Sequence, residues 1–135
     1  MNSFSLKIAV NTRLLLKNKL EGIGWFTLET LKIIVLNHPE HEFYFLFDRK
    51  FDPSFVFAKN ITPVIIRPPA RHPILFKIWF NHSVTRALKK IDADIFLSPD
   101  GYLSLKTSIP QIAVIHDLNF EHYPEDLPKA YMKYY

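Results

Sequence analysis

Five short runs, apolar at nearly every position, set the terms for this chain: Leu6–Val10 (LKIAV), Glu42–Phe47 (EFYFLF), Ile61–Ile66 (ITPVII), Ile95–Leu97 (IFL) and Gln111–Ile115 (QIAVI). Such runs read as strands covered on both faces, and no hairpin turn signal joins one to the next. After the first run, Gly24, Leu28, Leu31 and Val35 recur at helical spacing, with Glu29 and Lys32 on the opposite side. His38-Pro39 closes that helix, because proline disfavours helical geometry in the residue before it. Pro73 opens a second helix whose buried stripe is Phe80, Val84, Ala87 and Ile91. The order β-α-β-β-α-β-β implies an α/β fold: an open, mainly parallel, Rossmann-like sheet with helices on both faces. Pro63 marks the third strand as an edge or an irregular one.

Asp48 to Lys59 reads as a polar loop, and Asp117 to Pro128 as an ordered one. Lys129–Tyr135 reads as the start of a further helix, so the expectation is a piece of something longer. The 135 residues fit one domain, and 48% hydrophobic with 22% charged residues is a globular composition. No run approaches the roughly 18 uninterrupted apolar residues of a membrane span, and residues 1–5 lack a secretion signal. With no cysteine there are no disulfides and no thiolate metal sites, which fits a cytoplasmic location. A net charge of +4 suits anionic ligands or a membrane surface but falls short of a nucleic-acid binder. Arg86, Lys89 and Lys90 end the second helix, where cations suit the helix dipole.

In open α/β sheets, ligands sit outside the carboxyl ends of the strands, where the strand order reverses. The three glycines, Gly22, Gly24 and Gly101, all follow expected strands. Gly22 and Gly24 open the first helix, where free backbone N–H groups favour an anion and no Cβ blocks a phosphate. Gly24 equally allows close helix–sheet packing, and both readings stand. The pattern is not a dinucleotide fingerprint, since the third glycine is missing. Ser98-Pro99-Asp100-Gly101 is a turn by its chemistry. His116-Asp117 directly follows the fifth strand, where a histidine meets a ligand and a carboxylate orients it, or where both simply form a turn. Glu121-His122 and His38-Pro39-Glu40-His41 match no metal-site spacing, so no metal is expected. No serine or cysteine occupies a nucleophile elbow. Leu75 and Trp79 fall on the side of the second helix away from its stripe, in line with His82 and Arg86. That face suits lipid, a lipid-linked acceptor or a partner domain, or burial under the Asp48–Lys59 loop.

Taken together, Ile8–Asn11, Glu21-Gly22-Ile23-Gly24-Trp25-Phe26-Thr27, Ile95–Pro99 and Ile115-His116-Asp117-Leu118 with Tyr123-Pro124 resemble a known pattern. They are similar to the N-terminal domain of GT-B glycosyltransferases of the retaining family 4, over nearly the whole chain. The resemblance implies the N-terminal half of a two-domain enzyme, with a nucleotide-sugar donor held mainly by a C-terminal domain absent from this chain. It implies a glycan or lipid-linked acceptor on this half and no bound cofactor or metal. Polysaccharide assembly at the inner membrane face, with peripheral membrane contact, is the expected setting. By position, His116 and Asp117 would be the catalytic pair, and Gly22, Gly24, Arg13 and Ser98 would bind substrate. Glu21 stands where many members have another glycine, and its carboxylate would repel a diphosphate. Trp25 replaces a frequent basic residue. The expectation is that this chain alone transfers no sugar. The competing expectations are a non-catalytic α/β ligand-binding or interaction module and a dehydrogenase nucleotide domain.

Overall fold

A computed structural model describes residues 4–116. It contains β1 (Lys7–Asn11), α1 (Gly22–Asn37), β2 (Glu42–Phe47), a 3-10 turn (Pro53–Phe55) and β3 (Ile61–Ile65). There follow α2 (Pro73–Ile78), a π turn (Trp79–Ser83), α3 (Val84–Ile91), β4 (Ile95–Ser98) and β5 (Gln111–Ala113). The strands form one sheet in the order β3-β2-β1-β4-β5, with every pair parallel. The α/β, Rossmann-like expectation is met, and β3, which carries Pro63, lies at an edge. β1 starts one residue later than expected, and β5 stops at Ala113 rather than at Ile115. The expected loop from Asp117 and the helix from Lys129 lie outside the described residues.

Strand alternation sends successive side chains to opposite faces, and two cores result. On one face Val10, Phe43, Phe45 and Phe47 pack against Leu28, Leu31 and Val35 of α1 and against Phe55 of the β2–β3 connection. On the other, Ala9, Leu46 and Phe96 meet Phe76, Trp79, Phe80, Val84 and Leu88, with Tyr102 of the β4–β5 connection. The two crossovers leading towards β3 thus run over one face and the two leading towards β5 over the other. One handedness of parallel connection requires that arrangement. The stripe Gly24, Leu28, Leu31 and Val35 of α1 is buried as its spacing implies, and Glu29 pairs with Lys32 on the outer side at 3.8 Å.

The second helix corrects one expectation. Trp79 does not lie on an outer face: it is fully buried beside Phe80, and its indole Nε1 donates to Ile66 O at 2.9 Å. The cause is the π turn, which widens the helix so that Trp79 and Phe80 both face the sheet, their rings 4.7 Å apart and nearly perpendicular. Nor does the 48–59 loop cover Trp79, because that loop packs on the opposite face of the sheet. Ile74 and Ile78 form the exposed apolar side of this helix instead. Among the described residues, no helix is long and apolar enough to cross a membrane.

Candidate functional site

The strand order reverses at β1: the chain runs from β1 outward to β3, then crosses back to β4 on β1's other side. In open α/β sheets, ligands bind at the carboxyl ends of the strands flanking such a reversal, here β1 and β4. The residues leaving these two strands are polar and buried. Asn11 and Ser98 lie on the same face, because Val10 pairs with Leu97 one position earlier. Asn11 Nδ2 donates to Ser98 Oγ at 3.2 Å and to Asp100 Oδ1 at 2.8 Å. Asp100 Oδ1 also accepts from Ser98 Oγ at 3.0 Å and from Tyr102 N at 3.2 Å. Its other oxygen, Oδ2, lies 2.9 Å from Arg13 Nε. That contact is an ion pair without hydrogen-bond alignment, so charge attraction holds it.

Arg13 is further enclosed by aromatic rings. Its guanidinium carbon lies 5.1 Å from the centroid of Phe76, 5.4 Å from Tyr102 and 5.7 Å from Phe80. Those distances are in the range of cation–π attraction. Only 13% of the side chain is exposed. The neighbouring strand end carries a second ionic cluster: Arg49 donates Nε and Nη2 to the two oxygens of Asp48, at 2.8 and 2.9 Å. Ala70 N donates to Asp48 Oδ2 at 2.7 Å. Burial pushes the Asp48 carboxyl up, but the Arg49 and Ala70 donors outweigh it and hold the group below its ordinary value.

The turn after β4 also reaches His116. Pro99 O, which can only accept, lies 2.6 Å from His116 Nε2, so that nitrogen carries the proton. Nδ1 is then the ring nitrogen left for a ligand. The imidazole meets the Phe26 ring of α1 edge-on at 4.7 Å, which ties the end of β5 to the first turns of that helix. Gly101 has φ +88°, a backbone that glycine adopts without strain, and a Cβ there would come within 3.1 Å of Val114 O. Val114 N donates to Ser98 O at 3.1 Å. The 98–101 turn is therefore clasped between β1 and the end of β5.

The two glycines of α1 separate. A Cβ on Gly24 would lie 3.1 Å from Leu14 O and 3.2 Å from Leu20 Cδ2, so this glycine permits close packing of the 12–21 loop on the helix. Among the described residues, a Cβ on Gly22 would meet nothing within 4 Å. Gly22 thus keeps an open approach, and Glu21, the N-cap, makes no side-chain capping bond. Beside it lies a depression of about 370 Å3 lined by Leu14, Leu16, Lys19, Glu21 and the Gly22–Gly24 backbone.

The structure therefore brings Arg13, Ser98 and His116 together around one turn, and Phe26 connects that turn to the helix opened by Gly22 and Gly24. Asp117 lies outside the described residues. Asn11, Asp100 and Phe26 are parts of the site that sequence reasoning did not assign a role.

Among the described residues one cluster has metal-ligand chemistry, His38, Glu40 and His41, at the amino ends of the strands. Leu6 N donates to His41 Nδ1 at 3.1 Å, which leaves the proton on Nε2, 3.6 Å from Glu40 Oε1. His38 Nδ1 lies 2.9 Å from the same oxygen, and that hydrogen bond keeps the Glu40 carboxyl below its ordinary value. The three residues thus form a hydrogen-bonded turn, in which a metal at His41 Nε2 would have to displace that proton.

The chain matches no protein-family model, no curated protein and no solved structure.

Proposed function

We propose that this chain is the acceptor-side part of a retaining glycosyltransferase that moves a sugar from a nucleotide-sugar donor to a glycan or lipid-linked acceptor. The observation that carries the reading is the buried polar assembly at the reversal of strand order, with His116 on its rim. In sugar transfer the bond from the anomeric carbon to the diphosphate breaks, and the diphosphate leaves with the electron pair. The acceptor oxygen forms the new bond to that carbon, and its proton passes to the departing diphosphate. A half-site for this chemistry needs fixed dipoles and a hydrogen-bonding ring held at a defined orientation, in a partly dry cleft. The backbone N–H groups of the first turn of α1, opened by Gly22, and the His116 ring, held at Nε2 by Pro99 O, are the groups this reading assigns to those tasks.

Glu21 and Gly24 sharpen the assignment. The Glu21 carboxylate is exposed beside the open backbone at Gly22, which favours hydroxyl groups of an acceptor over a diphosphate at that spot. Gly24 is committed to packing, so it contributes shape rather than contact. Donor affinity then belongs to a second domain, at the cytoplasmic face of a membrane when the acceptor is lipid-linked.

A second reading, a non-catalytic α/β ligand-binding module, draws on the same network, because Asp100 and Arg13 are largely satisfied by internal partners. Calorimetry tests the transferase reading. The purified chain should take up oligosaccharide or lipid-linked acceptors, bind free nucleotide sugar and NAD weakly, and release no nucleotide diphosphate. NAD binding without acceptor binding, or sugar turnover by this chain alone, would overturn the proposal.

A further inference from the structure

By resemblance Arg13 would contact substrate; its surroundings give it a different task. Its Nε atom is spent on Asp100 Oδ2, and three aromatic rings enclose its guanidinium. We infer that Arg13 is a positioning residue: it fixes the 98–101 turn through Asp100, and that turn fixes the His116 ring through the carbonyl of Pro99. The inference rests on the proposed acceptor site only for its consequence in catalysis, since the linkage itself is read from geometry.

Each step has an identified contact. Asp100 sits in the turn and holds both of its ends: Oδ1 accepts from Ser98 Oγ at 3.0 Å on one side and from Tyr102 N at 3.2 Å on the other. Asn11 Nδ2, at 2.8 Å, anchors the same oxygen to β1. Among the described residues, Oδ2 has no hydrogen-bonding donor, and Arg13 supplies its compensating charge. Without that charge, a buried carboxylate would have to seek water, and the turn would follow it. Pro99, one residue before Asp100, offers the carbonyl that accepts the hydrogen bond from His116 Nε2, at 2.6 Å. A displaced turn withdraws that acceptor, and the ring of His116, which among the described residues is held by Pro99 and Phe26, loses one of its two holds.

A lysine cannot substitute here. It would supply charge, but not the flat guanidinium that fits between Phe76, Phe80 and Tyr102 while reaching Asp100. The arrangement thus predicts sensitivity to shape as well as to charge.

The test is NMR of the full chain, with 15N-labelled histidine, needing neither donor nor acceptor. The wild-type protein should show a hydrogen-bonded Nε2–H resonance for His116 and cross-peaks between its ring and Phe26. In Arg13→Ala and Arg13→Lys, Nε2–H exchange should rise by about tenfold or more, and the Phe26 cross-peaks should weaken. Lys17→Ala, a change to another cation of the same loop, paired with Asp52 at 3.1 Å, should alter neither. If Arg13→Ala does not fold, Arg13→Lys decides on the same readout. A folded Arg13 variant with unchanged His116 exchange and cross-peaks would overturn the inference. Because no sugar chemistry enters, failure here is distinct from failure of the transferase reading.

Discussion

The two ends of the sheet both carry charged clusters, and they are built differently. At the amino end, His38, Glu40 and His41 lie within four residues of one another, and Glu40 binds its neighbours at the surface. At the carboxyl end, Asn11, Arg13, Ser98 and Asp100 come from the ends of two strands and the loops that follow, with Asn11 and Asp100 separated by 89 positions; Asn11, Ser98 and Asp100 are buried, and Arg13 is half-buried against them. A local turn satisfies itself at little cost to the rest of the fold. A buried network spanning distant strands must be maintained by the whole sheet, and it stands where an α/β sheet opens to a ligand. That contrast is why the carboxyl end is assigned the function.

The largest expected effect breaks the comparison if it is wrong. Asp100→Ala leaves the largely enclosed Arg13 charge without its ion-pair partner and should cost about 3 kcal/mol in urea unfolding. Glu40→Ala, at the opposite end, should shift the unfolding midpoint far less, since its ionic contacts stay within one half-exposed turn. Equal effects would remove the distinction between the two clusters.

The two glycines provide the next test. Gly24→Val forces side-chain atoms onto Leu14 O and Leu20, and overpacking of this kind should cost about 1–3 kcal/mol. Gly22→Ala enters open space and should stay within about 0.5 kcal/mol of wild type. If Gly22→Ala proves as damaging as Gly24→Val, the open approach at Gly22 is not there.

The smallest effect is in acid. Asp48 is depressed below its ordinary value near 3.8, so its contribution is complete above that value. It is lost as the pH falls through the lower folded value. Asp48→Asn should therefore lower stability at neutral pH and flatten the acid limb below about pH 4. Glu40→Gln should leave that limb nearly as steep as in wild type. An unchanged limb in Asp48→Asn would mean that the Arg49 and Ala70 contacts do not favour the charged form.

Much of the fold was legible because it rests on local pattern. The apolar runs became the five strands, and the i, i+3, i+4 spacing of Gly24, Leu28, Leu31 and Val35 became the buried stripe of α1. Trp79 was misplaced because a regular helical period was assumed, and nothing in WFNHS announces the π turn that rotates it inward. Within the site, Gly22, Gly24 and His116 were visible through their distinctive chemistry. Asp100 looked like an ordinary turn former in Ser98-Pro99-Asp100-Gly101. Its partnership with Asn11 and Arg13 depends on β1 lying beside β4, a pairing no local motif encodes.

Mapping acceptor binding onto the two ends of the sheet tests the central claim most directly. Oligosaccharide acceptors titrated into the 15N-labelled chain should shift the amide resonances of Gly22, Ser98 and His116 and leave those of His38 to His41 in place. Shifts confined to residues 38–41, or none anywhere at saturating acceptor, would contradict the account.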